Sequence, residues 1–473
     1  MSLKSPGPAA ISDLRARLPE TCFKKPGPHY LTEPRGLIAG QAAMVIAPEK
    51  TAQIAEIVGL ANKHRFGIVP FGGGTGLVGG QVCDAGPAVV VVSMERLDRI
   101  RMTDPSDNVL ICEGGVILAD IQMAAAKADR LFPLSLASEG SCQIGGNLAT
   151  NAGGTGVLRY GSARDLCLGI EAVLPDGSIW NGLGRLRKDN SGYDLKNLMI
   201  GAEGTLGIIT AASLKLVPRP AVTRSVFCEI RDPAAALELL ARCHRTLGDT
   251  VSAFELISRQ GFDFVAEKLP QLRLPFAVSP NWMVLADFGW PEGSNDDSRL
   301  LALLEDAVAA GLCGETLVSQ NAAQRREFWA LREAIPEANR LIGAIGSHDI
   351  SVPLNQIPAM ITQGKRLVAA LGDFRVNVFG HVGDGNLHFN VYPPKGRARV
   401  EYAAQRPEIS AAIYDLVAEL GGSFAAEHGI GRVKLDALRR FGDPAKLAMM
   451  RSIKAALDPN GIMNPGAVVP APV

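Results

Sequence analysis

The segment PFGGGTGLVGG, residues 70–80, decides how the fold of this chain is interpreted. It follows the strand-like run GIVPF and contains GTGLVG, which fits the G-x-G-x-x-G pattern of a Rossmann dinucleotide-binding unit. A Rossmann unit needs a helix after its glycines, and such a crossover takes about a dozen residues or more. Only GQVCDAGP separates Gly79 from the next apolar run, AVVVVSM, so no helix fits there. Because the bare N–H groups of a glycine loop form a nest for an anion, we interpret the segment as a pyrophosphate loop of a non-Rossmann kind.

The composition is typical of a globular protein that acts on small molecules. The 473 residues are 47% hydrophobic, and 48 basic residues balance 48 acidic ones, so no overall charge attracts nucleic acid or an anionic membrane. The apolar runs are far shorter than the roughly 20 residues that span a bilayer, and the N-terminus lacks the apolar core of a signal peptide. We therefore expect a cytoplasmic protein without a membrane span. The eight cysteines form no CxxC pair, which argues against a disulfide framework or a cysteine metal site.

Two further glycine clusters follow the first loop. They are residues 135–165, rich in Gly, Ser, Thr and Asn, and GAEGTLGIIT at 201–210. Such glycine density is costly unless the backbone must approach another group closely. One cluster would be compatible with ordinary turns, whereas three clusters between residues 70 and 210 favour a cofactor site. After Pro218 the pattern changes to periodic helices that alternate with strands, which indicates a separate α+β domain.

Seven segments, in order, resemble the FAD-linked 2-hydroxyacid dehydrogenases of the vanillyl-alcohol-oxidase superfamily. They are PFGGGTGLVGG, EGSCQIGGNLATNAGG, RYGSARD, GAEGTLGIIT, GHVGDGNLHFNV, AAEHGIGRVK and DPNGIMNPG. The most similar branch contains the bacterial D-lactate and D-2-hydroxyglutarate dehydrogenases and the FAD subunit of glycolate oxidase. The resemblance covers roughly residues 36–467 and implies an α+β fold. It implies a two-subdomain FAD-binding domain at 1–218, a ferredoxin-like substrate or cap domain at 219–420, and a C-terminal segment at 421–473 that closes the FAD site.

The resemblance also assigns residues to FAD. The first loop would hold the pyrophosphate, the second cluster the ribityl chain and flavin, the third the adenosine side, and a late asparagine the isoalloxazine. In this order the residues are Pro70, Gly72, Gly73, Gly74, Thr75, Gly76 and Leu77; Ser141, Gly145, Asn147, Thr150, Asn151 and Gly154; Glu203, Gly207 and Ile209; and Asn464. The first loop has no histidine of the kind that tethers FAD in many superfamily members, so we expect noncovalent FAD.

The segment VNVFGHVGDGNLHFNVY, residues 376–392, predicts a strand, a turn and a strand with two facing histidines. If Asp-Gly at 384–385 forms a two-residue type I′ turn, His381 stands directly opposite His388. Their Cβ atoms would then lie about 5 Å apart, within reach of one metal ion, and Asn390 would share their face. Glu427 in AAEHG is the natural carboxylate ligand, whereas His428 points elsewhere along an extended chain.

Several interpretations of these polar residues stay open from the sequence alone. Two facing strand histidines are more often a hydrogen-bonded structural pair than metal ligands. The resemblance implies that the two histidines and the glutamate bind zinc or a similar divalent ion and that His428 is the catalytic base. Two histidines and a carboxylate also describe a non-haem iron site, although a flavin makes oxygen activation by iron redundant. Arg332 in FWALREAI is either a helix-surface charge or, by the resemblance, the arginine that contacts the substrate carboxylate.

The resemblance implies oxidation of a D-2-hydroxy acid to the 2-oxo acid. A metal ion would lower the pKa of the hydroxyl group, His428 would take the proton, and the C2 hydride would pass to flavin N5, with Arg332 and Asn390 positioning the substrate. The alternatives are an oxygen-using flavin oxidase and a non-catalytic flavin-binding subunit. The electron acceptor, whether a quinone, a cytochrome or an electron-transfer flavoprotein, stays open, and a homodimer is a candidate assembly.

The choice of hydroxy acid depends on two positions. Family members specific for the five-carbon dicarboxylate carry a threonine and a lysine where Pro336 and Ser347 stand here. Without that lysine the distal carboxylate has no ionic partner, so the sequence favours D-lactate. Arg340 or His348 could take the place of the lysine, which keeps D-2-hydroxyglutarate open, and glycolate is a further alternative.

Overall fold

The computed structural model describes residues 3–294 and 296–470 of the chain. They form two compact units. The first unit consists of the residues up to Gly153, of Gly161–Arg219, and of the residues from Glu427 onward. The second consists of Gly154–Tyr160 and Pro220–Ala426. The border at Arg219 lies one residue beyond residue 218, the end of the FAD-binding domain expected from the sequence. A short piece of the second glycine cluster, Gly154–Tyr160, belongs to the second unit.

The described residues form strands and helices with the following bounds. The strands are β1 (Phe23–Lys24), β2 (Ala42–Ile46), β3 (Ile68–Phe71), β4 (Val89–Ser93), β5 (Ile100–Asp104), β6 (Val109–Glu113), β7 (Arg130–Leu131), β8 (Cys167–Val173), β9 (Ile179–Gly182), β10 (Ile208–Lys215), β11 (Val217–Pro218), β12 (Val222–Ile230), β13 (Val251–Ser258), β14 (Trp282–Trp290), β15 (Cys313–Val318), β16 (Gly346–Ser351), β17 (Arg375–His381) and β18 (Asn386–Tyr392). The α-helices are α1 (Pro8–Arg17), α2 (Pro28–Leu31), α3 (Thr51–His64), α4 (Leu118–Lys127), α5 (Ile144–Ala149), α6 (Val157–Tyr160), α7 (Leu195–Met199), α8 (Pro233–Leu247), α9 (Arg259–Lys268), α10 (Asp296–Ala309), α11 (Ala322–Ile342), α12 (Ile357–Leu371), α13 (Arg406–Glu419), α14 (Leu435–Phe441) and α15 (Pro444–Leu457).

The first unit places the glycine loop at the end of a small mixed sheet. Its strand order is β1-β2-β4-β3, and both β2 and β3 run parallel to β4. The connection between β3 and β4, residues 72–88, contains no helix, as the short spacing predicted. The run VVVVS of β4 is buried throughout, which is typical of a parallel strand covered on both faces. A glycine loop therefore performs the crossover that a helix performs in a Rossmann unit.

The rest of the first unit is an antiparallel sheet with helices. The strand order is β5-β6-β10-β8-β9. Its helices include α3 and α4, which both bury apolar residues at helical spacing. Helix α3 buries Ile54, Ile57, Val58 and Ala61 at helical spacing, and it ends where Arg65 adopts a left-handed conformation with φ of 62°.

The second unit is built on one antiparallel sheet with the order β15-β12-β14-β13-β17-β18-β16. The elements β12, α8, β13, β14, α10 and β15 follow one another as in a ferredoxin-like fold, with α9 inserted between β13 and β14, and the order of the four strands in the sheet is that of the same fold, as the resemblance implied. Strands β17, β18 and β16 extend that sheet. Side chains of α8, α10, α12 and α13 cover one face, and side chains of α9 and α11 cover the other. No helix in the described ranges is long and apolar enough to cross a membrane.

Candidate active site

The first loop of the first unit presents unpaired backbone donors. The N–H groups of residues 72–77 donate no hydrogen bond within the described part of the chain. The side chain of Gln81 instead holds the loop through its carbonyls, because Nε2 donates to the oxygens of Gly76 at 2.7 Å and Gly74 at 3.4 Å. Consecutive half-buried N–H groups without partners are an anion-binding nest. The loop therefore has the donors that a pyrophosphate group needs.

The shape of this loop depends on two glycines. A Cβ atom added to Gly73 would lie 2.1 Å from the carbonyl oxygen of Ser141, so the first loop packs directly against the second glycine cluster. Gly74 has a φ of +72°, which side-chain-bearing residues rarely adopt. Ser141 was assigned to the cofactor from the sequence; its hydroxyl donates to the carbonyl of Ser138 at 3.3 Å.

The second cluster contains buried oxygens that lack a partner. Asn147, a predicted cofactor residue on α5, and Gln143, just before that helix, are 5% and 8% exposed. Neither Asn147 Oδ1 nor Gln143 Oε1 accepts a hydrogen bond from a described residue. A buried acceptor without a donor is destabilising, so these two oxygens fit a ligand that brings its own donors. The sequence-based assignment missed Gln143, although a glutamine among small residues in SCQIGGN was the available signal.

Other residues assigned to this cluster bond to protein groups. The Thr150 hydroxyl donates to the Gly146 carbonyl at 3.0 Å, and Asn151 Oδ1 accepts the Arg164 N–H at 3.0 Å. Gly145 donates its N–H to the Gly114 carbonyl at 2.7 Å. Gly154 lies in the second unit. These contacts give Gly145, Thr150 and Asn151 a structural role in shaping the loop, and their contact with FAD stays a prediction.

The third cluster and the C-terminal segment meet at Glu203 and Asn464 within the first unit. Glu203 accepts the N–H groups of Ile430 at 2.8 Å and Gly431 at 2.9 Å. Asn464 Nδ2 donates to the carbonyls of Gly80 at 2.9 Å and Glu203 at 2.8 Å. Burial raises the pKa of Glu203 to about 7, although the two backbone donors act in the opposite direction. The C-terminal segment is thus tied to the end of the first glycine loop.

The remaining residues of that assignment support the backbone. Ile209 is buried in β10, and Gly207 has a φ of +151°. Pro70, at the end of β3, packs against Gly204, where an added Cβ would lie 2.9 Å from the proline ring. These positions explain why the third cluster approaches the first so closely. Their contact with the adenosine side of FAD stays a prediction.

The histidine hairpin of the second unit differs from the predicted one in its turn. A 3₁₀ turn at Val382–Asp384, followed by Gly385 with φ of +86°, replaces the type I′ turn. The predicted register was therefore wrong, since His388 pairs with Phe379 and not with His381. The shift amounts to two residues, so both histidines keep the same face. Their ring centroids lie 5.7 Å apart at an angle of 79°, which leaves them close enough to share a ligand.

A buried glutamate that the sequence analysis missed lies beside them. Glu255 of β13 stands directly opposite His381 of β17. Its Oε1 lies 2.5 Å from His381 Nδ1, and its Oε2 accepts Arg332 Nε at 2.8 Å and Nη2 at 2.7 Å. The lone charge in the apolar run VSAFELIS was the available signal. Burial raises the pKa of Glu255, but the positive charges of Arg332 and His381 outweigh it and hold the value at about 2.

Arg332 projects from α11 toward the sheet. It is 7% exposed, and its guanidinium carbon lies 4.9 Å from the centre of the Phe379 ring. The interpretation of Arg332 as a helix-surface charge is therefore wrong. Nε and Nη2 both contact Glu255, and Nη1 donates no hydrogen bond to a described residue. That arrangement leaves one edge of the guanidinium for another anion.

Strand β16 places the two candidate specificity residues on opposite faces. Ser347 stands opposite Asn390 of β18, so it shares the face of the two histidines. His348 points to the other face, where Nδ1 lies 2.8 Å from the Phe389 carbonyl and Nε2 lies 3.0 Å from the Ser410 hydroxyl. Arg340 forms an exposed ion pair with Glu337 at 2.7 Å. His348 thus does not share the face of the histidine pair, and Arg340 already has a carboxylate partner.

The carboxylate and base predicted at the start of the C-terminal segment lie beside each other. Glu427 Oε1 is 3.6 Å from His428 Nε2. Within the second unit, the preceding residue Ala426 donates its N–H to the carbonyl of Asp349 at 3.4 Å. Asp349 is the β16 partner of His388. The second unit therefore ends, at Ala426, beside the strand that pairs with the histidine hairpin.

Comparison with known families shows the family to which this chain belongs. Residues 42–182 match the family described as FAD binding domain, and residues 219–468 match the family described as FAD linked oxidases, C-terminal domain. The chain belongs to the FAD-linked oxidase family. The p-cresol methylhydroxylase structure aligns to this FAD-linked oxidase with a TM-score of 0.75 at 17% identity, over 97% of this chain and 96% of the other. That likeness confirms the vanillyl-alcohol-oxidase type of fold.

Two relatives of this FAD-linked oxidase carry different substrate names. The mitochondrial D-2-hydroxyglutarate dehydrogenase of Arabidopsis thaliana is 36% identical over 435 residues, which are 91% of this chain and 76% of the relative. A putative mitochondrial D-lactate dehydrogenase of Schizosaccharomyces pombe is 34% identical over 438 residues, 90% of this chain and 81% of the relative. Relatives of Oryza sativa and Danio rerio, each 35% identical, are also named for D-2-hydroxyglutarate. Cytoplasmic location stays a prediction.

Proposed function

We propose that this FAD-linked oxidase is a dehydrogenase that oxidises a D-2-hydroxy acid to the 2-oxo acid, with D-2-hydroxyglutarate as its main substrate. The observation that carries the proposal is the cluster on one face of the second unit's sheet, where Arg332 and His381 share Glu255 and His388 lies beside His381. An arginine for the carboxylate and imidazoles for a hydroxyl-binding metal ion are groups that a 2-hydroxy acid needs. The relatives named for D-2-hydroxyglutarate support the choice of substrate.

The first unit supplies the groups that would hold FAD. The N–H groups of residues 72–77 would bind the pyrophosphate, which needs several donors and no side chain. The oxygens of Gln143 and Asn147 would accept hydrogen bonds from hydroxyl or imide groups of the cofactor. FAD, when bound, supplies the acceptor for the hydride that leaves C2 of the substrate.

His381, His388 and Glu427 would hold a divalent ion such as zinc. The bond from His381 Nδ1 to Glu255 fixes the ring, so that Nε2 would be the ligand atom, as is usual for metal-binding histidines. Glu427 follows Ala426, whose N–H is bonded to the strand that pairs with His388. The donor set of two imidazoles and one carboxylate suits zinc, which polarises a bound hydroxyl group.

The remaining steps belong to residues of the chain. Arg332 would bind the substrate carboxylate through the guanidinium edge that Glu255 does not use. Asn390, whose Oδ1 accepts the His348 N–H at 3.2 Å, would fix the substrate through its amide nitrogen. His428 would take the hydroxyl proton as general base.

Anaerobic mixing of the purified holoenzyme with single hydroxy acids tests the proposal. We expect D-2-hydroxyglutarate to bleach the visible flavin band, L-2-hydroxyglutarate to leave it unchanged, and a chelator to abolish the bleaching. Purified protein without flavin, or flavin that no D-2-hydroxy acid reduces, would contradict the proposal and favour the non-catalytic subunit. Chelator-resistant turnover that consumes oxygen would favour the oxidase alternative.

D-lactate is the second candidate substrate because position 347, on the sheet face that carries the two histidines, has no cationic side chain. Ser347, which faces Asn390, cannot form an ion pair with a distal carboxylate, and His348 lies on the opposite face. Arg340 is paired with Glu337. A higher kcat/KM for D-lactate than for D-2-hydroxyglutarate would decide in favour of this candidate.

A further inference from the structure

Glu255 divides its two carboxylate oxygens between two groups of different predicted function. Oε1 lies 2.5 Å from Nδ1 of His381, whereas Oε2 accepts both Nε and Nη2 of Arg332. The three side chains are buried, and that of Glu255 is fully inaccessible. One buried carboxylate thus connects a predicted metal ligand with the predicted substrate-binding arginine.

Packing alone does not explain why a carboxylate connects His381 and Arg332. Burying three ionisable groups together is costly, and apolar residues of similar volume often give equal or greater stability. What the two contacts of Oε2 with Arg332 and the contact of Oε1 with His381 Nδ1 do supply is direction. The first fixes the plane of the guanidinium and turns Nη1 away from Glu255. The second keeps the proton of the neutral imidazole on Nδ1.

We propose that Glu255 is the positioning residue of this site: it directs Nε2 of His381 toward a divalent metal ion and the outer edge of Arg332 toward the substrate carboxylate. The inference rests on the proposed function. It makes Glu255 the reason that two residues on separate elements, β17 and α11, act in one geometry. No contact of Glu255 with substrate or metal is required.

Glu255→Gln is the decisive variant. The amide can accept a hydrogen bond at only one of its two terminal atoms, and its NH₂ group must face a donor of either His381 or Arg332. We expect zinc affinity, measured on the holoenzyme by competition with a chromogenic chelator, to fall about 10-fold to 100-fold. We also expect KM for the hydroxy acid to rise by a larger factor than kcat falls, because Arg332 loses its fixed orientation.

Asp287→Asn is the matched control. Asp287 is a buried carboxylate on the same sheet face, one strand away on β14, and it also holds α11, through Arg325 and Trp329. Its replacement should lower the melting temperature and leave zinc affinity and KM close to wild type. If Glu255→Gln and Asp287→Asn change zinc affinity and KM equally, Glu255 is only a structural residue and the inference is wrong.

Glu255→Asp keeps the inference testable if the glutamine variant does not fold. The shorter carboxylate retains the charge but can reach only one of its two partners well, so we expect recovery of the fold with a loss of zinc affinity smaller than 10-fold and a raised KM. Wild-type zinc affinity and KM in a folded Glu255→Asp or Glu255→Gln protein would overturn the inference. A wild-type enzyme that reduces its flavin with D-2-hydroxy acids but binds no zinc would overturn the metal part alone, whereas absence of flavin reduction would overturn the proposed function itself.

Discussion

The two candidate sites differ in the groups that form them: backbone groups in the first unit and side chains in the second. In the first unit the anion nest is backbone, namely the unpaired N–H groups of residues 72–77, and its shape depends on glycines. In the second unit the cluster consists of side chains from three strands and a helix, and its carboxylate Glu255 is bonded on both oxygens. A side chain that enters the backbone nest should prevent anion binding there. Displacement of a charge or a proton should disrupt the side-chain cluster. Each of the following changes should therefore affect one site and spare the other.

The largest effect is expected from His388→Ala. Removal of one imidazole from the proposed three-ligand zinc site should abolish zinc binding and lower kcat/KM on the order of 10³-fold, since metal polarisation contributes several kcal/mol. Flavin content should stay at the wild-type level because the glycine loop belongs to the first unit. Metal analysis, flavin absorbance and steady-state rates with D-2-hydroxyglutarate measure the three quantities.

His348→Ala is the control for that change. His348 is buried and hydrogen-bonded, and it lies on the opposite face of the same sheet. Its removal should lower stability and leave zinc content unchanged. Loss of zinc in both variants would show that any buried histidine of this sheet is needed, and the proposed ligand set would then be wrong.

The next effect concerns the pH dependence of stability and belongs to the first unit. The pKa of Glu203 is about 7 in the folded chain against 4.5 as its ordinary value, because burial raises it. Between these values the folded state retains a proton that the unfolded state has released, so stability falls as pH rises from about 4.5 to 7. Relative to Glu203→Gln, the wild type should lose about 3 kcal/mol of unfolding free energy across this window. Denaturant unfolding of both proteins at pH 4.5 and 7.5 measures it; a difference that is flat or rises with pH contradicts the prediction.

A third, smaller effect is expected from Gly73→Ala. The added methyl group would lie 2.1 Å from the Ser141 carbonyl, so the loop must move away from the second cluster. We expect FAD affinity to fall about 100-fold, close to 2.7 kcal/mol, with zinc content unchanged. Gly59→Ala in α3 is the matched control, because a Cβ there meets nothing within 4 Å. That variant should retain FAD and gain a little helix stability.

The sequence predicted the first site better than the second for a physical reason. A glycine loop between two strands and the absence of a following helix are local properties, so residues 70–94 indicated a non-Rossmann anion nest. Periodic helices after Pro218, such as α8, were likewise recognisable from local periodicity, whereas the ferredoxin-like order of the second unit was expected only from the family resemblance. The orphan oxygen of Gln143 was not, because only the packed structure shows that its partner is missing.

For the second site, the turn rule correctly predicted that His381 and His388 share one face of the sheet and wrongly predicted that they pair directly. Asp-Gly favours a two-residue turn, but four residues, 382–385, connect the two strands through a 3₁₀ turn, and His388 pairs with Phe379. The common face survived because strand side chains alternate with period two. Glu255 was missed because it lies 126 residues from His381, and only the non-sequential pairing of β13 with β17 brings them together.

The smallest effect, and the one that sharpens substrate choice, is expected from Ser347→Lys. Ser347 is exposed and faces Asn390, so a lysine there would extend along the histidine face and offer an ammonium group to a distal carboxylate. One exposed ionic contact is worth about 1 kcal/mol or somewhat more with hydrogen bonding, so the ratio of kcat/KM for D-2-hydroxyglutarate to that for D-lactate should rise about 10-fold. Zinc and FAD content should not change.

Ser347→Met separates charge from length in that experiment. Its side chain has nearly the reach of lysine without the ammonium group, so the substrate ratio should stay within about twofold of wild type. An equal rise in both variants would mean that apolar contact decides the preference and that the distal carboxylate finds its cation elsewhere. The wild-type ratio of kcat/KM could also strongly favour D-2-hydroxyglutarate and stay unchanged in Ser347→Lys. That result would mean that another group replaces the missing lysine, because a serine hydroxyl alone cannot compensate the charge of a desolvated carboxylate.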